Sequence, residues 1–203
     1  MRAVLLALQL ACGGRGGGVA AALASENKRV MVWTTDDTAN TNATARASFL
    51  QGLSRVKDVV NVVSPCSYYI QQVPPHNLVR KDGADTVHQA LKAAGFAVQP
   101  LVGDIGGGWN MSWYRDTFVA QSFADAAVKE IQSGGLEGLN FDYEPHQPGT
   151  DADAAAYVAM VQSIMDRSKS LLTIDFPCNG QLCHPPLLKV SPPSSRTPSL
   201  PPS

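Results

Sequence analysis

Two kinds of apolar pattern alternate along the chain, and together they predict an α/β domain. Continuous, β-branched runs of the kind found in strands buried on both faces span 28–34, 59–70, 96–102, 136–143 and 171–176. Between these runs, apolar residues recur at helical spacing over 44–56, 85–94, 113–132 and 151–168. This alternation predicts a parallel sheet that is covered by helices.

The spacing of the strands favours a (β/α)8 barrel of the TIM type. Successive strand-like runs begin roughly 31 to 40 residues apart, which suits a fold that typically needs about 250 residues. The 203-residue chain contains about five such runs, so the predicted barrel is incomplete. A doubly wound open sheet of five strands is the competing architecture, because periodicity does not separate the two.

Both ends of the chain differ from the predicted domain, which spans 23–190. In residues 1–22, Arg2 precedes an apolar stretch, glycines and small residues, as is typical of a secretory signal peptide. A glycine-rich leader without that role is the alternative. A signal peptide predicts a secreted protein, or one in the lumen of a lysosome or vacuole. Residues 191–203 are almost entirely Ser and Pro, which predicts a disordered tail.

Composition narrows the classes of partner. The chain is 44% apolar and 16% charged, with a net charge of −1, which disfavours nucleic acid and acidic membrane surfaces as partners and fits a monomer. Outside the N-terminus there is no apolar run of 18 residues, so an internal membrane span is not expected. No CxxC pair is present, and neither a metal nor another cofactor is expected. Sequons at Asn42 and Asn110 fit secretion.

The cysteines leave their pairing open. Removing residues 1–22 removes Cys12 and leaves Cys66, Cys178 and Cys183. The last two could close a small disulfide loop, with Cys66 unpaired, or all three could be buried free thiols.

The stretch with the most chemistry lies at the end of the fourth strand. Side chains alternate along a strand, so Asn140, Asp142 and Glu144 share one face, while apolar and aromatic residues share the other. They stand at the C-terminal end of the strand, where α/β barrels carry their active sites. Neighbouring carboxylates and burial both raise the pKa of a carboxyl group, which converts a Glu into a general acid. Glu144 is therefore the predicted proton donor, with Asp142 beside it.

This stretch resembles the DGxDxDxE signature of family 18 glycoside hydrolases, the chitinases and chitobiases. The signature is matched at Gly138, Asp142 and Glu144. Glu137 stands where the family has its first Asp, and Asn140 replaces the middle one. The resemblance extends over residues 28–177 and implies a barrel that is truncated after its fifth strand.

The resemblance also implies residues that bind the sugar. At the end of the preceding strand, residues 104–107 are similar to the family's SxGG pattern. Gly106 and Gly107 match its two glycines, and Asp104 stands in place of the Ser. Trp109 follows this glycine run and is a candidate for stacking on a sugar ring. Tyr68 and Tyr69 end the second strand; one of them lines the cleft, and Tyr69 is the predicted contact.

The activity implied by the resemblance is hydrolysis of β-linked N-acetylglucosamine, in chitin oligosaccharides or in the chitobiose core of N-glycans. The implied mechanism is retaining and substrate-assisted. Glu144 would protonate the glycosidic oxygen, and Asp142 would orient the 2-acetamido group that attacks the anomeric carbon. Asn140 would alter the charge relay behind Asp142.

Four alternatives remain open at this stage. The chain could be a non-catalytic carbohydrate-binding relative, although it retains both Asp142 and Glu144. It could be an inactive fragment of a hydrolase. The two carboxylates could form a purely structural polar pair. Together with His146 they could bind a metal, which Pro145 disfavours because it breaks the strand.

Overall fold

The computed structural model describes residues 6–7, 29–34, 36–103, 110–142 and 149–175. Eight strands and five α-helices follow one another in these ranges, with a short 3-10 helix over Met111–Arg115. The strands are β1 Leu6–Ala7, β2 Met31–Thr34, β3 Val62–Ile70, β4 Leu78–Arg80, β5 Ala97–Val98, β6 Leu101–Gly103, β7 Gly138–Asp142 and β8 Leu171–Asp175. The helices are α1 Thr38–Thr41, α2 Ala43–Ser54, α3 Ala84–Ala93, α4 Thr117–Gly134 and α5 Asp151–Ser168. The predicted alternation of strands and helices is confirmed.

The sheet has the strand order of a barrel. β2, β3, β6, β7 and β8 lie side by side in chain order, and each is parallel to the next. A doubly wound sheet would reverse this order at a switch point. The described part of the chain is therefore a curled half-barrel of α/β type, as predicted, and the open-sheet alternative is wrong.

Two short strands pair antiparallel to this array. β4 pairs with the end of β3, and β1, which lies within the predicted signal peptide, pairs with β2. The predicted third strand is divided into β5 and β6, both parallel to β3. The signal peptide itself stays a prediction. In the described ranges, every helix is too short or too polar to cross a membrane.

Within the described ranges, one hydrophobic core lies between the sheet and the helices. Leu139 and Phe141 on β7 are fully buried in it, as the alternation along this strand predicted. Phe123 on α4 and Tyr157 on α5 pack into the same core, and the ring centroids of Phe123 and Phe141 are 6.0 Å apart. The apolar residues of β7 thus turn outward to the helices, and the polar residues between them turn to the concave face of the sheet.

Capping residues set the starts of the long helices. Asp116 caps α4, its side chain accepting a hydrogen bond from the backbone of Phe118, and this cap separates α4 from the preceding 3-10 helix. The continuous helix predicted over 113–132 is therefore divided. Thr150 is the N-cap of α5, and it forms a capping box with Asp153.

Gly138 brings β7 and β8 together. Its φ is +151°, and a Cβ at this position would lie 1.6 Å from the carbonyl oxygen of Leu171, its register partner. Only glycine combines this backbone conformation with this close approach. The glycine of the signature is therefore required by strand pairing.

We expect Gly138→Ala to destabilise the protein by about 3 kcal/mol or more, because the added methyl group must push the two strands apart. Gly52→Ala is the matched control, since its Cβ meets nothing within 4 Å in the middle of α2. That control should stabilise the protein by about 0.5–1 kcal/mol. Urea unfolding followed by circular dichroism measures both, and similar stabilities for the two variants would contradict the close contact.

Candidate active site

The concave face of the sheet carries the polar residues. Asn140 is fully buried there, between β6 and β8. Its Nδ2 donates a hydrogen bond to Asp175 Oδ2 at 2.8 Å, and its Oδ1 accepts one from Thr173 Oγ1 at 2.5 Å. Both partners lie on β8. Because a buried amide is costly unless it is paired, these bonds account for the burial of Asn140 at this position.

Gln99, which lies between β5 and β6, extends the network across the sheet. Its Nε2 donates to Thr173 Oγ1 at 2.9 Å and to the carbonyl oxygen of Leu139 at 3.1 Å. Gln99 is also buried, at 1% exposure. A chain of hydrogen bonds thus runs from Gln99 through Thr173 to Asn140 and ends at Asp175.

Two carboxyl groups lie at the C-terminal end of this face. Asp142 and Asp175 are register partners on β7 and β8, so their side chains emerge from the same face of the sheet. Burial raises the pKa of the Asp175 carboxyl, and the hydrogen bond from Asn140 partly offsets this. Asp142 is half-buried.

A β-bulge decides which tyrosine faces the concave side. The register between β3 and β6 shifts between Cys66 and Tyr68, so Cys66 pairs with Leu101 and Tyr69 with Gly103. Tyr68 instead turns into the outer core, where its hydroxyl donates to Glu130 Oε2 at 2.9 Å. Half-buried Tyr69 is left on the concave face, and its contact with a sugar stays a prediction.

A thiol and an ion pair lie next to these groups. Lys81 Nζ donates to Asp37 Oδ2 at 2.9 Å and to Cys66 Sγ at 3.1 Å. Burial raises the pKa of the Cys66 thiol, although Lys81 opposes the shift. Cys66 is a buried free cysteine, and both sequence alternatives left it without a disulfide.

Several predicted residues lie outside the described ranges. These are Glu144, Trp109, Gly106 and Gly107, together with Asp104, His146, Cys178 and Cys183. The structure therefore brings together Asn140, Asp142 and Tyr69 from the predicted set. In the ranges that are described, no cluster of three or more acidic, His or Cys side chains has the geometry to hold a metal ion.

Sequence reasoning missed Gln99, Thr173 and Asp175. Thr173 and Asp175 interrupt an apolar strand at alternate positions, which is the same signal that identified Asn140 and Asp142. The buried Gln99 precedes Pro100 and carries no comparable pattern.

Comparison with solved structures identifies the fold. The chain aligns with a class V chitinase from Pseudomonas fluorescens Pf-5 at a TM-score of 0.55 and 19% identity, over 72% of this chain and 44% of the chitinase. A chitinase from Chromobacterium violaceum ATCC 12472 gives a TM-score of 0.51 and 16% identity, over 71% and 44% of the two chains. The fold is that of an incomplete TIM-type barrel, which the chain shares with these two chitinases.

A further neighbour is the spore cortex-lytic enzyme SleL from Bacillus cereus, with a TM-score of 0.51 and 12% identity over 63% of this chain and 31% of SleL. The chain spans less than half the length of each of these three proteins. No family model matches the sequence, and no curated protein does. At such identities the similarity establishes the barrel fold, and the catalytic activity has to be inferred from the residues of this chain.

The hydrogen-bond network predicts a large cost for Thr173→Val. This change removes the hydroxyl that donates to buried Asn140 and accepts from Gln99, and we expect a loss of about 1–3 kcal/mol in the free energy of unfolding. Thr173→Ser keeps the hydroxyl and should cost about 1 kcal/mol or less. Urea denaturation of the two variants in parallel checks this, and equal losses would show that the hydroxyl does not hold the network together.

Proposed function

We propose that this chain is a glycosidase that hydrolyses β-linked N-acetylglucosamine, in chitin oligosaccharides or in the chitobiose core of N-glycans. One observation carries the proposal. Asn140 and Asp142 lie on the concave face at the C-terminal end of β7, the position at which barrel enzymes carry their catalytic groups, and Glu144 follows two residues later in the sequence. The chitinase-like fold supports the same reading.

The proposed reaction is retaining and uses the substrate's own acetamido group. Glu144 gives its proton to the glycosidic oxygen as the bond from that oxygen to the anomeric carbon breaks. The acetamido carbonyl oxygen attacks the same carbon and forms an oxazolinium ion, while Asp142 accepts a hydrogen bond from the acetamido N–H. Water, deprotonated by Glu144, then attacks the anomeric carbon and opens the oxazolinium ring, which restores the acid.

The network on the concave face supports the role of Asp142. Asn140 is fixed by hydrogen bonds on both sides, and β7 and β8 are locked in register by the contact at Gly138. Asp142 therefore extends from a rigid strand, which favours a defined orientation of the acetamido group. In this proposal Tyr69 and Trp109 contact the sugar, with Gly106 and Gly107 in the neighbouring loop. The protein works as a secreted or lumenal monomer.

Replacement of the acid should separate catalysis from binding. We expect Glu144→Gln to lower the turnover of a fluorogenic chitobioside by about 100-fold or more, while oligosaccharide binding persists. Glu137→Gln is the matched control, because Glu137 is exposed and forms a solvent-accessible ion pair with Arg29 at 3.4 Å. That control should keep nearly the full rate.

Two results would overturn this assignment. Retention of more than about a tenth of the rate by Glu144→Gln would exclude it as the general acid. Binding of chito-oligosaccharides without hydrolysis by the unmodified chain would instead identify a non-catalytic carbohydrate-binding protein. Isothermal titration calorimetry and the fluorogenic assay, run on the same preparation, distinguish these outcomes.

The acetamido group itself provides a second test. A thiazoline analogue of the oxazolinium ion should bind about 100-fold or more tightly than the parent sugar, because it resembles the high-energy intermediate. Substrates with a 2-hydroxyl group should be inert, since they lack the internal nucleophile. Efficient cleavage of a plain glucoside would show that a protein carboxylate, and not the substrate, supplies the nucleophile.

A further inference from the structure

Asp175 is a half-buried carboxyl group that the proposed mechanism does not use. It lies at the end of β8 on the concave face, and its register partner on β7 is Asp142. Neighbouring parallel strands are about 4.8 Å apart, and side chains in register share a face. The two carboxyl groups therefore lie on the same face at adjacent positions of neighbouring strands.

Asn140 holds Asp175 in this place. Its Nδ2 donates to Asp175 Oδ2 at 2.8 Å, while its Oδ1 is occupied by Thr173. Because Thr173 donates to that oxygen, the amide is oriented with its NH2 group toward Asp175. A carboxylate at position 140 could not donate this hydrogen bond, so Asn140 and Asp175 are complementary.

We propose that Asp175 is a positioning residue for Asp142: fixed by Asn140, it supplies a second carboxyl group that shares a proton with Asp142 in the acetamido-assisted step. This inference rests on the proposed function. The hydrogen bond from Asn140 uses Oδ2 of Asp175, which leaves Oδ1 to hold the proton and donate it to Asp142. Asp142, held in this way, accepts a hydrogen bond from the acetamido N–H.

The surroundings are consistent with a proton on Asp175. Burial raises its pKa, with the hydrogen bond from Asn140 as the opposing effect. Arg29 lines the same cavity as Asp175, and it forms an ion pair with Glu137. The other titratable or charged groups on this face within the described residues are Asp142, Tyr69, Cys66 and the Lys81–Asp37 pair.

The first test reads the carboxyl pair directly and requires no turnover. Carbon-13 NMR of the aspartate carboxyl groups follows the titration of Asp175 in the unmodified chain and in Asp142→Asn, with Asp175→Asn used to assign its signal. Removing the neighbouring charge should lower the pH at which Asp175 titrates by about one unit or more. Asp58→Asn, at an exposed turn, is the control and should cause no shift. An unchanged Asp175 titration in Asp142→Asn would overturn the proposal.

The second test asks whether the pair acts in catalysis. Asp175→Asn should lower kcat on the order of 10- to 100-fold with little change in KM, and should move the acidic limb of the pH profile. The double variant Asn140→Asp with Asp175→Asn exchanges the amide and the carboxyl group. The hydrogen bond between positions 140 and 175 is kept, and the two carboxyl groups are then at positions 140 and 142. Because this variant leaves an amide opposite Asp142, it should recover stability while kcat and the acidic limb stay as in Asp175→Asn. Loss of stability in Asp175→Asn without movement of the limb would indicate a structural role only and contradict the proposal.

The two tests separate this inference from the proposed function. If Glu144 proves essential but Asp175 titrates independently of Asp142, only the inference fails. If the carboxyl groups are coupled but no hydrolysis occurs, the proposed function fails, and the catalytic role of Asp175 fails with it.

Discussion

The pairing of β7 with β8 is the interaction on which the site depends. Gly138 lies so close to the backbone of Leu171 that no side chain fits between them, and this contact fixes the register of the two strands. The same register sets Asn140 opposite Thr173 and Asp142 opposite Asp175. Because side chains alternate along a strand, a slip by one residue would turn the polar residues into the core and the apolar ones to the concave face.

Burial of polar groups on the concave face has a cost that the network offsets. Gln99 and Asn140 are both almost completely inaccessible to solvent, and each is satisfied by bonds to β8 or to a neighbouring backbone. A buried network of this kind loses its value when one member is removed, since the remaining partners are left unpaired. The arrangement therefore makes β8 an essential part of the site, although the recognisable motif lies on β7.

Local patterns in the sequence predicted most of the fold. The strand positions and the outward burial of Leu139 and Phe141 follow from apolar runs and from alternation, which are properties of a short segment. The orientation of Asn140 and Asp142 toward one face follows in the same way. The capping of α4 by Asp116 could also have been predicted, because an Asp that precedes a segment with apolar residues at helical spacing is a typical N-cap.

Other features depend on contacts between distant segments and had no local signal. The bulge in β3 determines that Tyr69, and not Tyr68, faces the concave side, and it arises from pairing with β6. The partners of Asn140 lie on a strand that begins about 30 residues later. Alternation on β8 marks Thr173 and Asp175 as polar residues on one face, but only the register with β7 shows which groups they meet.

The central claim is that the chain retains anomeric configuration through an oxazolinium intermediate. Proton NMR of the first-formed product, recorded during hydrolysis of a β-linked N-acetylglucosamine oligosaccharide, tests it most directly. A retaining mechanism predicts that the β anomer is released first and then mutarotates. Initial release of the α anomer would show inversion at the anomeric carbon and would contradict the account.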